Sequence, residues 1–196
     1  MRVVLATRNK HKVDELRRIL APYDVDLVSL DAVGVTEEVP ETGATFADNA
    51  LLKARAAAAS SGLVAIADDS GLAVDALNGM PGVLSVYWAG RARDDAANLR
   101  LVLEQIEDVP DERRGAAFVC AAAAVTPDGR EIVAEGRVEG SLIHAPRGHG
   151  GFGYDPIFVP AGERRTTAEM TPEEKDAISH RGKAFRALAP ELAKLS

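Results

Sequence analysis

Two adjacent carboxylates close an apolar run in Ala65-Ile66-Ala67-Asp68-Asp69-Ser70-Gly71. Acids at the end of a buried strand face desolvation and mutual repulsion, and uncompensated one of them takes up a proton. A divalent cation with oxygen ligands relieves both effects. On a regular strand Asp68 and Asp69 point to opposite sides. One then faces the chemistry, and its neighbour is left to brace the turn. The question is whether the chain supplies a substrate for such a metal.

Four other clusters bear on that. Thr7-Arg8-Asn9-Lys10-His11-Lys12 lies between a strand and a helix, where unpaired N–H groups and a partial positive charge suit an anion. It lacks the glycines of a Walker loop. Glu41 sits in the loop Val39-Pro40-Glu41-Thr42-Gly43, ahead of a helix whose Asn49 and Lys53 share a face. Gly148-His149-Gly150-Gly151-Phe152-Gly153-Tyr154-Asp155 surrounds two aromatics with glycine, so backbone can approach a ligand. An aromatic face there can stack on a base. Lys175, Ser179, His180 and Arg181 gather donors near a break between helices, and arginine can pair with the O6 and N7 acceptors of an oxo-purine. Each cluster also has an ordinary reading as helix cap, solvated loop, surface turn or surface charge. Together they describe a pocket for a nucleoside triphosphate.

The elements that must hold these residues are legible in outline. Residues 2–6 read as a strand. A helix capped by Asn9 follows, with Val13, Leu16, Ile19 and Leu20 at helical spacing, and residues 25–30 read as a second strand. This β-α-β start predicts an α/β domain. Thr45 and Asp48 begin a second helix that Gly62 closes, and residues 64–68 form a strand continuing over 72–74 after a kink at Gly71. Residues 94–106 fit a third helix. Strands over 116–126 and 131–140 flank the turn Pro127-Asp128-Gly129. Thr171 and Pro172 start a fourth helix, and a last one covers about 183–195 with Pro190 inside it.

Composition narrows the class. The 196 residues make one domain, or one domain of two lobes, and 46% hydrophobic content fills a core. A net charge of −7 argues against a nucleic-acid coat protein or a membrane-surface binder. Within that acidic chain Arg2, Arg8, Lys10 and Lys12 form a basic island. The single cysteine, Cys120, lies among apolar residues, so a buried thiol in a reducing, cytoplasmic compartment is expected. Neither a signal peptide nor a run long enough to cross a bilayer is visible.

The segments TRNKHK, PETGATFADNALLKA, AIADDSGL, GGFGYDPIF and EKDAISHRG, in that order, resemble the inosine/xanthosine triphosphate pyrophosphatase family nearly end to end. The resemblance implies an ITPase-like α/β fold over 1–196: a mixed central sheet flanked by helices, in two lobes with the active-site cleft between them. It implies Mg²⁺-dependent hydrolysis of ITP, dITP and XTP to the monophosphate and pyrophosphate, and a homodimer.

By the same similarity, residues 7–12 hold the triphosphate, Asn9 and Lys12 foremost, with Lys53 adding charge. Glu41 and Asp69 position Mg²⁺, and Asp69 is also the general base. Ser70 contacts substrate and Phe152 stacks on the base. Gly153, Tyr154 and Asp155 shape its pocket, and Lys175, His180 and Arg181 read the purine edge. One departure stands out: Arg8 occupies a position where the family commonly has glycine. Two rival readings are a Maf-type pyrophosphatase for other modified nucleotides and a non-catalytic nucleotide sensor. A nucleic-acid-binding module is more distant.

Overall fold

The structure, a computed structural model, describes residues 1–195. Its elements in chain order are β1 (Arg2–Leu5), α1 (Lys10–Leu20), β2 (Asp26–Ser29), α2 (Phe46–Ser61), β3 (Val64–Val74), α3 (Asp95–Gln105), β4 (Gly115–Val125), β5 (Glu131–Leu142), β6 (Phe158–Pro160), α4 (Pro172–Ile178) and α5 (His180–Leu192), with short 3-10 turns among them. The strands form a sheet in the order β2-β1-β3-β4-β5-β6. β1 runs parallel to β2 and β3, whereas β5 and β6 are antiparallel, so the sheet is mixed as expected.

Helix starts follow local side-chain chemistry. The Asn9 side chain accepts from the N–H groups of His11 and Lys12 and caps α1. Thr45 and Asp48 exchange two hydrogen bonds of 3.1 Å and box the start of α2. Asp94 caps α3, while Thr171 caps α4 with Pro172 in its first turn. Each cap satisfies N–H groups that the helix itself leaves unpaired.

The chain divides into two compact units. The first comprises Met1–Asp69, Cys120–Gly136 and His180–Ser196; the second comprises Ser70–Val119 and Arg137–Ser179. In the first unit side chains alternate across the sheet with the period of two that a strand imposes. Val3, Leu5 and Ile66 pack with Leu16 and Ile19 of α1 and Phe185 and Leu188 of α5. Val4, Ala6, Ala65 and Ala67 pack instead with Ala50, Ala54 and Ala57 of α2. Small alanines on both partners let α2 lie close to the sheet.

In the second unit Leu72, Val74, Leu99, Val102, Ile106, Tyr154 and Phe158 form the core. Phe118 meets Phe158 edge-on, ring centres 4.6 Å apart. The buried Arg114 donates to the carbonyls of Ile106 at 2.7 Å and Leu142 at 2.9 Å. It thereby ties the end of α3 to the end of β5. No helix among the described residues is long and apolar enough to cross a membrane.

Two local expectations change, and one strand is new. β3 runs unbroken through Gly71, so no kink separates Asp68 and Asp69 from residues 72–74. α5 begins at His180 rather than near residue 183, which puts His180 and Arg181 in its first turn. β6 carries no periodic signal because it is only three residues long and ends on Pro160.

Candidate active site

Strand parity divides the acidic pair. Asp68 shares its side of β3 with Ile66 and meets α1 and α5; Asp69 shares its side with Ala67 and meets α2. Asp68 is 1% exposed. Its Oδ2 lies 3.1 Å from Lys12 Nζ and accepts from Arg181 Nε at 3.1 Å. Arg181 Nη1 also donates to Glu15, one turn beyond Lys12 on α1. Lys12, Asp68, Arg181 and Glu15 therefore form a chain of alternating charge that links α1, β3 and α5. Burial alone would push the Asp68 carboxyl up. Lys12, Arg181 and Lys53 reverse that and hold it well below the usual carboxylate range. Asp68 Oδ1 is buried and, among the described residues, has no hydrogen-bond partner.

Asp69 has the opposite environment. Burial pushes its carboxyl above the ordinary value, and the Lys53 and Lys12 ammonium groups oppose this without cancelling it. Asn49 Nδ2 donates to Asp69 Oδ2 at 2.9 Å, and Asn49 Oδ1 accepts from Gly43 N–H at 2.7 Å. One amide thus fixes the carboxylate and the loop carrying Glu41 together. A Cβ on Gly43 would stand 2.7 Å from that Asn49 oxygen, so this close approach requires glycine. Lys53 Nζ lies 2.5 Å from Glu41 Oε1 and 3.9 Å from Asp69 Oδ1. Two carboxylates from distant segments converge on one cationic centre.

At the start of α1, Thr7 Oγ1 accepts from Asn9 N–H at 3.2 Å, and the Asn9 oxygen serves as cap. Lys10 and His11 are exposed in the first turn. Arg8 turns elsewhere: its guanidinium pairs with Asp31 and donates to the Val35 carbonyl at 2.7 Å. Its backbone does not need glycine. Among the described residues, the non-glycine positions with positive φ are Asn78 and Arg93. Arg8 therefore anchors the 31–35 segment.

The second unit holds the aromatic loop. Asp155 is buried, and its Oδ2 accepts from Phe152 N–H at 3.0 Å and from Lys175 Nζ at 2.5 Å. Thr167 Oγ1 donates to its other oxygen at 2.7 Å. Gly151 has φ +68°, and a Cβ there would stand 2.0 Å from Asp155, so only glycine closes the loop over this acid. Lys175 Nζ lies 4.9 Å from the centre of the half-buried Phe152 ring, a cation–π contact. Tyr154 is buried and its hydroxyl donates to the Ser85 carbonyl at 2.7 Å. Ser70, half-buried, directly follows Asp69 on β3.

The expected residues thus fall into two groups, each internally connected. Lys12, Glu41, Lys53, Asp69 and Arg181 belong to the first unit, as does the buried His180; Phe152, Gly153, Tyr154, Asp155 and Lys175 belong to the second. Sequence reading passed over Glu15, Thr167 and the orienting role of Asn49. Glu15 carried a usable signal, because it is the acid one turn beyond Lys12 and borders the apolar positions Leu16 and Ile19. Cys120 is buried as expected, its Sγ 3.9 Å from Asp68 Oδ2.

Comparison with known proteins places the chain in a family. Residues 3–191 match the model of the Ham1 family. The dITP/XTP pyrophosphatase of Mycobacteroides abscessus is 61% identical over 198 residues, covering 100% of this chain and 96% of that protein. The dITP/XTP pyrophosphatase of Streptomyces coelicolor is also 61% identical, covering 99% and 98%. Among solved structures, a HAM1 protein from Coxiella burnetii superposes with a TM-score of 0.90 at 41% identity, covering 99% of each chain. The nucleoside-triphosphatase or dITP/XTP pyrophosphatase of Mycobacterium abscessus superposes at 0.79 with 62% identity, covering 97% of this chain and 100% of that one.

Proposed function

Because this chain belongs to the Ham1 family, we propose that it is a pyrophosphatase of non-standard purine nucleoside triphosphates. ITP, dITP and XTP are its substrates, and a monophosphate and pyrophosphate its products. The observation that carries the reading is the divided pair. Asp68 is held between the cations Lys12 and Arg181, while Asp69 sits with a raised carboxyl beside Lys53, Asn49 and Glu41. Adjacent acids with environments this different are the mark of an acid–base assignment.

Glu41 and Asp69 would hold Mg²⁺. They are hard oxygen donors already turned toward one cation, the Lys53 ammonium. Among the described residues no group of three or more His, Cys, Asp or Glu side chains gathers as a cage. That suits Mg²⁺, which commonly takes one or two carboxylates and completes its shell with water and substrate phosphates. When bound, it neutralises phosphate charge and orients the triphosphate.

The chain's own groups do the rest. Asp69 accepts a proton from water as the water oxygen bonds to the α-phosphorus and the bond to the bridging oxygen breaks. Lys12, Lys53 and the N–H groups opening α1 stabilise charge on the departing pyrophosphate. Phe152 offers its ring to the base. An oxo group at C6 accepts where adenine would donate, so donors from Lys175, His180 or Arg181 pair with hypoxanthine or xanthine and are left unpaired by ATP.

The test is a panel of ITP, dITP, XTP, ATP, GTP, dUTP and methylated nucleotides, with and without Mg²⁺, scoring pyrophosphate against phosphate. Mg²⁺-dependent pyrophosphate from the oxo-purines is expected. Preference for dUTP or methylated bases would favour a Maf-type enzyme, and binding without turnover a sensor. Arg8→Ala should leave the ITP KM within about twofold, because its guanidinium is engaged with Asp31 and Val35. A tenfold rise would return Arg8 to the phosphate site. The similarity further implies a homodimer of a single-domain chain, whose mass light scattering would read, and the single cysteine fits a reducing, cytoplasmic compartment.

A further inference from the structure

Three successive residues of the aromatic loop are pinned at three different places. Phe152 N–H donates to Asp155 from within the loop. The Tyr154 hydroxyl reaches the Ser85 carbonyl. Between them Gly153 N–H donates to Asp95 Oδ2 at 2.8 Å. Asp95 is the first residue of α3, directly after the Asp94 cap, and it is exposed. Helix capping is already supplied by Asp94 Oδ1, which accepts from Ala97 N–H at 3.0 Å. The Asp95 carboxylate is thus directed to the loop.

We propose that Asp95 is a positioning residue for base recognition: its carboxylate fixes Gly153 and so aims the neighbouring Phe152 ring at the purine. This rests on the reading that Phe152 stacks on the base. Gly153 follows Phe152 directly and has φ +60°. Rotation about its flexible backbone would swing the ring, and a charge-assisted hydrogen bond to its N–H removes that freedom. Nothing in this role touches the phosphates, so the effect belongs in binding of the base and leaves the chemical step unchanged.

The experiment compares Asp95→Ala, Asp95→Asn, Phe152→Ala and the Asp95→Ala/Phe152→Ala pair, using ITP with Mg²⁺. Asp95→Ala should raise KM about tenfold, as loss of one charge-assisted bond allows, with kcat within about twofold. Asp95→Asn keeps an acceptor for Gly153 but loses the negative charge at the helix start, so it should recover most of the KM. If Asp95 merely supported α3 through its charge, both variants would suffer alike, and the proposal would be overturned. In the Phe152→Ala background Asp95→Ala should add less than about twofold, because the two act as one unit. Additive losses, or an unchanged KM in Asp95→Ala, would also overturn it. Absence of pyrophosphate release from ITP by the unmodified chain is a different result: it removes the function reading, and this inference with it.

Discussion

Asp69→Asn is expected to lower kcat for pyrophosphate release from ITP by about 10²–10⁴-fold, the usual contribution of a general base. The fold should survive, and stability should stay level or rise. The sign follows from the environment. Burial raises the Asp69 carboxyl above its unfolded value. Its ionised form is therefore a cost to the folded state at neutral pH. An amide of the same shape removes that cost while still accepting from Asn49. Steady-state kinetics beside a urea titration would check both halves. Near-normal turnover would remove Asp69 from the mechanism, and a large stability loss would contradict the reading of its environment.

The neighbouring acid should behave in the opposite way. Asp68 is held below its unfolded value by Lys12 and Arg181 against the pull of burial. Its ionised form stabilises the fold at neutral pH, so Asp68→Asn should destabilise. Arg181→Ala is the more severe test of the same buried charges. It leaves Asp68 and Glu15 as buried carboxylates without their shared partner, and breaking a buried pair from one side costs about 3–5 kcal/mol. Urea unfolding should show that loss, and Arg181→Ala combined with Glu15→Gln should recover part of it. A loss under about 1 kcal/mol would mean that these buried ion pairs are not holding α1, β3 and α5 together. The folded fraction also reports base reading. A collapsed ITP-to-ATP ratio assigns the C6 oxygen to Arg181, and an unchanged ratio assigns it to Lys175 or His180.

Much of the fold was legible because its signals are local. Asn9, Thr45 and Thr171 announce helix starts through bonds only two or three residues long. The turn at residues 126–130 closes as its Pro-Asp-Gly sequence requires, with Thr126 N–H on the Arg130 carbonyl at 3.0 Å. β6 and the first turn of α5 escaped because they carry too few residues for a period to show. The candidate site was legible as residue types in five motifs, and the family resemblance assigned their roles. Which side chains each residue meets was not legible, as Arg8 illustrates: its charge reads as a phosphate contact until Asp31 and Val35 claim it.

The acidic pair separates the two kinds of information. The order of residues is enough to set Asp68 and Asp69 side by side after an apolar run on a strand, where alternation sends them to opposite sides. It could not say which side holds compensation. The Asp68 partners Lys12 and Arg181 come from 56 residues before and 113 residues after it in the chain, and the Asp69 partner Asn49 from another helix. Charge compensation acts through distance in space, and only tertiary packing sets that distance. Packing therefore decided that one carboxylate is locked into the frame and that its neighbour is left with a raised affinity for a proton.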